Sequence, residues 1–290
     1  MEGRLRLLTL NLGLPSVSLG QRRRLPLAEL AHRRLTAAPA QLRALNADII
    51  SLQEVFHITD QSYLVAALKQ DYPYHCALRG TKSAIGNGLL YLSRYPLTDC
   101  ALTVHKPTMA SPFQKEAAFL SVTAQLTGLP NLRLLALHLT AAGPFSDSQS
   151  KTELKRRQRE LEALLAAPGA SDSVMLGDFN ASPHVCPEIY SEIIKRGFRD
   201  AFVEAGCVDG PHAATWEREN YFNRRSLYRN APSQRIDHVF LPDSLAKTWT
   251  VVSAQIAFRD PVGLHGNEAF TLSDHFGMLV DLRSHPEMAA

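Results

Sequence analysis

Apolar residues fall into short blocks along the chain, and the spacing inside each block decides what it forms. Arg4–Asn11 (Arg-Leu-Arg-Leu-Leu-Thr-Leu-Asn) is apolar almost throughout and reads as a strand covered on both faces. Asp48–Gln53 is a second strand of this kind, and Pro39–Asn46 closes a helical stretch that begins near Pro26. Asp60–Gln70 carries apolar residues at helical spacing behind an acidic N-cap candidate. Strands are then predicted at Asn87–Ser93, Leu97–Val104, Ala117–Leu126 and Leu132–Leu139, close enough in sequence to pair as antiparallel neighbours.

Lys151–Ala166 is the best-defined helix. Leu154, Leu161, Leu164 and Leu165 share one side, a Lys-Arg-Arg-Gln-Arg-Glu face meets water, and Pro168-Gly169 stops it. Strand Ser173–Leu176 follows, then helix Pro187–Arg196 and strands near Gln234–Leu241, Thr248–Ala257 and Gly277–Leu282. Interleaving of this kind in both halves predicts an α/β fold: a four-layer α/β/β/α sandwich of two mostly antiparallel sheets flanked by helices. One domain over residues 1–290 is expected, with its core at 4–283 and a short C-terminal tail. His212–Pro232 mixes Trp216, Tyr221, Phe222 and Tyr228 with charges, follows neither period, and is expected to be a long surface loop.

Composition narrows the picture. A chain of 290 residues that is 45% hydrophobic can bury a large core, which excludes the disordered and fibrous classes. No run approaches the roughly 18 apolar residues needed to span a bilayer, and the N-terminus lacks the pattern of a signal sequence. A cytoplasmic protein is expected, with peripheral membrane contact left open. Cys76, Cys100, Cys186 and Cys207 have no CxxC spacing and read as reduced thiols. The formal charge of +3 is too mild for a nucleic-acid footprint, so Arg22–Arg24, His32–Arg34 and Lys155–Arg159 are read as solvated faces or loops.

Candidate chemistry gathers at strand ends. Asn11 follows Leu-Leu-Thr-Leu, Glu54 follows Ile-Ile-Ser-Leu-Gln, His138 follows Leu-Leu-Ala-Leu, and Asp178 and Asn180 follow Val-Met-Leu-Gly. Asp237 stands in Arg-Ile-Asp-His and Asp274 with His275 in Leu-Ser-Asp-His. Strand termini of a sandwich converge on one edge, and polar groups there are costly to bury without partners. Carboxylates, amides and imidazoles without a cysteine cluster are hard ligands that suit Mg²⁺ better than zinc. A hydrolytic phosphate site needs such parts: charge neutralisation, a His-Asp pair for the proton, and donors for the transition state.

The ordered set Leu-Asn11, Gln-Glu54, Ser93-Arg94-Tyr95-Pro96, Leu-His138-Leu, Gly177-Asp178-Phe179-Asn180, Arg235-Ile236-Asp237-His238 and Ser273-Asp274-His275 resembles the endonuclease/exonuclease/phosphatase superfamily, of DNase I-like fold, from residue 5 to 282. That resemblance implies a Mg²⁺-dependent phosphoric diester hydrolase in which Mn²⁺ substitutes. Glu54 would ligate the ion, with Asn11 beside it and Asp274 nearby through water. Asp178 would polarise the attacking water, while Asn180 and His138 would bind phosphate oxygens. Asp237 would fix the tautomer of His275, leaving His275 to act as general base or to stabilise developing charge.

Within the superfamily the chain is similar to neutral sphingomyelinases. Gly88-Leu-Leu-Tyr-Leu-Ser-Arg-Tyr-Pro, Lys115 before the strand Ala117–Val122, Gly197-Phe-Arg-Asp-Ala-Phe and Asp274-His275-Phe276-Gly277 carry this likeness. Gly13 stands where those enzymes often have tryptophan, and Lys115 follows Gln114 where they have glycine. The implied activity is sphingomyelinase-like, a phospholipase C releasing phosphocholine by water attack, with a lipid headgroup favoured over nucleic acid and Lys115 in substrate binding. The aromatics of 212–232 offer either a quaternary-ammonium cradle or packing against the core. A metal-dependent nuclease of the same fold is the alternative, with an inositol phosphatase or a non-catalytic binding module behind it.

Overall fold

Alternation along the central strands sorts their residues between two packing environments. The computed structural model describes residues 3–18, 24–79, 86–105, 117–141 and 147–285. In chain order the elements begin with β1 (Arg4–Leu14), β2 (Ser16–Ser18), β3 (Arg24–Pro26), α1 (Ala31–Ala44), β4 (Ile49–Val55) and α2 (Ile58–Leu68). They continue with β5 (Tyr74–Cys76), β6 (Leu90–Ser93), β7 (Leu97–Val104), β8 (Ala118–Ala124), β9 (Leu132–His138) and α3 (Asp147–Leu165). Then come β10 (Val174–Asp178), α4 (Pro187–Lys195), β11 (Phe198–Asp200) and α5 (Ala201–Glu204). The last are β12 (Asp237–Pro242), β13 (Trp249–Ala257), β14 (Gly263–His265), β15 (Glu268–Phe270) and β16 (Gly277–Ser284).

Two six-stranded sheets form, ordered β13-β16-β1-β4-β6-β5 and β11-β12-β10-β9-β8-β7. Each is antiparallel except for one central parallel pair, β1 with β4 and β9 with β10. The α/β sandwich of the DNase I-like type expected from sequence is therefore the observed fold. On β1, Leu5 and Leu7 join the layer between the sheets, where they meet Ile49, Leu134, Leu176 and Val280. Leu8, Leu10 and Leu12 face outward against Leu35, Ala38 and Leu42 of α1 and Leu64 and Leu68 of α2. The second sheet repeats the scheme, with Leu176 inward and Met175 outward beneath Leu161 of α3 and Ile189 of α4. Burying such side chains contributes about 1.5–3 kcal/mol each.

The same alternation carries polar residues into the inter-sheet layer at one end. Beyond Leu7 come Thr9 and Asn11; beyond Leu134 and Ala136 comes His138; beyond Val174 and Leu176 comes Asp178. Gln53 satisfies Thr9 Oγ1 at 3.1 Å and Ser51 Oγ at 3.0 Å, forming a buried polar floor below Asn11. β12 and β16 run antiparallel to these strands, so their first residues reach that same end.

Element boundaries differ from the sequence reading in instructive places. The helix expected from Pro26 begins at Ala31, and α3 starts at Asp147, before Lys151. Asn87 precedes its strand and serves as a side-chain brace, donating to Leu78 O at 2.8 Å and accepting from Leu89 N at 3.0 Å. The largest correction concerns 212–232, expected as a surface loop. Trp216, Tyr221 and Phe222 are all buried, and the segment packs against the Ser273–His275 turn. Among the described residues no helix is long and apolar enough to cross a membrane.

Candidate active site

Eight of the nine sequence-predicted site residues lie among the described ones, and the fold brings all eight together. Asp237 Oδ2 accepts from His275 Nδ1 at 2.9 Å. Nε2 of His275 then faces Asp178 Oδ2 at 3.9 Å, and His138 Nε2 lies 3.4 Å from that same oxygen and 3.7 Å from Glu54 Oε1. Asn11 Nδ2 donates to Asp178 Oδ2 at 3.0 Å and to Glu54 Oε1 at 3.2 Å, tying the two sheets together at the site. Glu54, His138, Asp178, Asn180, Asp274 and His275 line a cleft of about 850 Å³, with Asn11 and Asp237 buried behind it. Lys115 falls outside the described residues.

Two of these positions depart from strand geometry. Glu54 has φ +58° and Asn180 φ +47°, a left-handed backbone that non-glycine residues adopt at a cost of order 1 kcal/mol or more. Without that turn Glu54 would continue outward with Leu52, beneath the helices. At Asn180 the backbone N–H donates back to Asp178 Oδ1 at 2.8 Å and Nδ2 donates to Leu139 O at 3.0 Å. Asp178 and Asn180 are thus joined by a side-chain turn. Gly177 serves a close approach, since a Cβ there would stand 2.0 Å from Leu137 O of the parallel neighbour β9.

A family model described as Endonuclease/Exonuclease/phosphatase family matches residues 8–275. The chain belongs to this family. Sphingomyelinase C from Streptomyces griseocarneus is similar at TM-score 0.69 and 16% identity, over 96% of this chain and 99% of that one. Beta toxin from Staphylococcus aureus, a double mutant with bound magnesium ions, is similar at TM-score 0.72 and 16% identity, over 96% and 99%. D. rerio TDP2 complexed with a single-strand DNA product gives TM-score 0.63 and 19% identity, over 97% and 99%. No curated protein matches the sequence. Identities this low show the shared fold of the endonuclease/exonuclease/phosphatase family, whose members hydrolyse phosphoric diesters.

The family site in this chain is strongly anionic. Burial alone lowers the His275 pKa, but the charges of Asp237 and Asp178, with the Asp237 hydrogen bond, outweigh it and raise the imidazole to about 10. Because this value exceeds the ordinary one near 6.5, the ion pair stabilises the metal-free fold fully below about pH 6.5. That contribution disappears as pH rises through about 10. The stability advantage of wild type over His275→Gln in metal-free buffer should therefore shrink across this window. Urea unfolding at a series of pH values measures it, and a pH-independent difference would contradict the pairing.

A hard divalent cation fits the donor set. Glu54, Asp178, Asp237 and Asp274 converge with amides and imidazoles, and Asp237 Oδ1 is a buried carboxylate oxygen without a hydrogen-bond partner among the described residues. Asp178, Asp237 and His275 present ligand atoms all within 4.8 Å of one another. His275 Nδ1 is already engaged with Asp237, which leaves Nε2 facing Asp178 across 3.9 Å. Asn11 turns its amide nitrogen to the carboxylates, while its Oδ1 accepts from Gly13 N at 3.0 Å. Flipping the amide would break that bond and aim oxygen at two carboxylates, so in this pose Asn11 holds Glu54 and Asp178 together.

Several supporting residues escaped the sequence reading. Arg34, expected on a solvated face, is 2% exposed. It donates to Leu272 O at 2.9 Å and Leu12 O at 2.6 Å, lies over the Phe222 ring at 4.5 Å, and reaches within 3.7 Å of Asp274 Oδ1. Its helical spacing with Ala31, Leu35 and Ala38 was the missed signal. Gly13 sits against this group at φ +58°: a Cβ would lie 2.0 Å from Asp274 Oδ1 and 2.6 Å from Arg34 Nη2. The missing tryptophan therefore has no space to occupy. Arg157, from another supposedly solvated cluster, is also buried, donating to Thr140 O at 3.2 Å and Cys186 Sγ at 3.4 Å. Thr215 Oγ1 accepts the backbone N–H of Ile236 and Asp237, each at 3.0 Å. Asn220 and Asn223 donate to Ser273 O at 3.0 Å and Asp274 O at 2.8 Å. No pattern in 212–232 announced these roles.

Proposed function

We propose that the chain is a Mg²⁺-dependent phospholipase C of the sphingomyelinase type, cleaving a choline phospholipid to phosphocholine and the lipid alcohol. The carrying observation is the wall beside the carboxylates. Leu154, Val185, Leu227, Tyr228 and Ala231 line the cleft there, with Val185 46% and Leu227 64% exposed. An apolar wall matches a lipid body, whereas a nucleic-acid strand calls for a track of cations. Lys151 and Arg157 are the only lysine or arginine among the described residues that line the cleft. Trp216 and Tyr228, also in the lining, offer aromatic faces to a quaternary ammonium. Similarity to a sphingomyelinase C and to a beta toxin holding magnesium ions supports the same reading.

In this mechanism Glu54 would hold the cation, with Asp274 nearby. When bound, the ion neutralises phosphoryl charge and polarises the scissile group. Asp178 orients the attacking water and accepts its hydrogen bond. His275, cationic at neutral pH beside Asp237, donates to a phosphoryl oxygen as charge develops, and Asn180 and His138 hold the remaining oxygens. Water oxygen bonds to phosphorus as its proton passes to the Asp178 carboxylate, the bond to the lipid oxygen breaks, and that oxygen takes a proton from solvent and leaves as the alcohol. Incubation with Mg²⁺ and, separately, sphingomyelin vesicles, lysophosphatidylcholine and plasmid DNA tests the assignment. Phosphocholine release is expected from sphingomyelin; DNA nicking without phosphocholine release would overturn it in favour of a nuclease.

A further inference from the structure

The outer edges of the two large sheets meet on one side of the molecule. β5 is the last strand of one sheet and β7 the last of the other, and the two strands touch. Cys76 ends β5 and Cys100 lies in β7; both line a single cavity of about 570 Å³ that shares no lining residue with the active-site cleft. Burial first, and Cys100 after it, raise the pKa of the Cys76 thiol, and Tyr91 is the strand residue opposite Cys76. Their exposures differ: Cys76 is 4% exposed, whereas Cys100 is open to solvent. Cys100 also lies where β7 slips its register against β8, between Thr98 and Ala101. That break in the ladder leaves its backbone room to adjust to the geometry a disulfide requires.

We propose that Cys76 and Cys100 are a redox pair that forms an intramolecular disulfide by exchange with a small disulfide such as glutathione disulfide. The exposed Cys100 thiolate attacks one sulfur of glutathione disulfide, breaking its S–S bond, forming a mixed disulfide and releasing one glutathione thiolate. Cys76 then gives its proton to solvent or to that thiolate and attacks Cys100 Sγ, expelling the second glutathione. Two protein thiols are oxidised and one glutathione disulfide is reduced to two glutathiones. Burial holds the Cys76 thiol well above its ordinary pKa, which makes the second exchange the slower one. The new bond clamps the two sheets together at their shared edge.

Peptide mapping by mass spectrometry after native full-length protein is incubated with glutathione disulfide tests this. A Cys76–Cys100 linked peptide is expected, reversed by dithiothreitol, with Cys186 and Cys207 unlinked. Oxidation should raise Tm by roughly 5–10 °C. In Cys76→Ala the reaction should stop at the mixed disulfide on Cys100. Wild-type protein that accumulates only glutathionylated Cys100, or links neither thiol, overturns the proposal, and this holds whether or not the variant folds.

Discussion

Replacing His275 by alanine is expected to slow hydrolysis of a phosphodiester such as bis-p-nitrophenyl phosphate by about 10²–10⁴-fold with the fold intact. His275 is held by a buried carboxylate on one side and aimed at a second across the cleft. Asp237→Asn should lower turnover too, because an amide neither anchors the protonated ring nor holds its charge. The double variant should be little worse than His275→Ala, since two residues that act as one unit lose their effect together. Steady-state kinetics with circular dichroism as the folding control decide the matter. Near wild-type turnover in His275→Ala would remove the pair from the chemistry.

The second large effect is on stability. Arg235 is buried with Nη1 2.8 Å from Asp200 Oδ2, Nε 2.6 Å from Asp209 Oδ1 and Nη2 2.9 Å from Asp209 Oδ2. Arginine can only donate, so His238 Nδ1, 2.7 Å from Nη1, accepts, and His238 Nε2–H donates to Ala181 O at 2.9 Å. Removing the guanidinium leaves buried carboxylates without their cation, so Arg235→Met should cost about 3–5 kcal/mol. In a protein of this size Tm should fall by roughly 6–15 °C. Burial alone would raise the Asp200 pKa, but the Arg235 guanidinium holds it below the usual carboxylate range. Its contribution is present above about pH 4 and is lost as pH falls through the depressed value. A loss under about 1 kcal/mol in Arg235→Met, read by urea unfolding, would show that the cluster is surplus to the fold.

This cluster also shows what the sequence exposes and what it hides. Short, nearly continuous apolar runs revealed the strands, and the polar residues ending them marked the site, because a strand that runs apolar through the inter-sheet layer must turn polar at the cleft. The Arg-Ile-Asp-His stretch was visible as a motif, yet only Asp237 joins the site. Its neighbour His238 points to the opposite face of β12, against Phe240 and Phe179. Glu54 and Asn180 were identified by residue type, but their left-handed backbones were not, since propensity gives no warning of a tertiary environment that forces φ positive. The order of 212–232 was not legible because a segment without period still becomes ordered when its Thr and Asn side chains satisfy backbone groups of a neighbouring turn. Arg34 and Arg157 were misread for a related reason. A buried arginine among carbonyl oxygens looks, in one dimension, like any other surface charge.

Anomalous diffraction from crystals soaked in Mn²⁺ addresses the meeting of these side chains around one cation most directly. A peak within roughly 2.0–2.3 Å of a Glu54 carboxylate oxygen is predicted, weakened in Glu54→Gln while the Asp237–His275 hydrogen bond persists. A peak bonded to His275 with none near Glu54, or no ordered peak in the cleft at saturating Mn²⁺, would contradict the account.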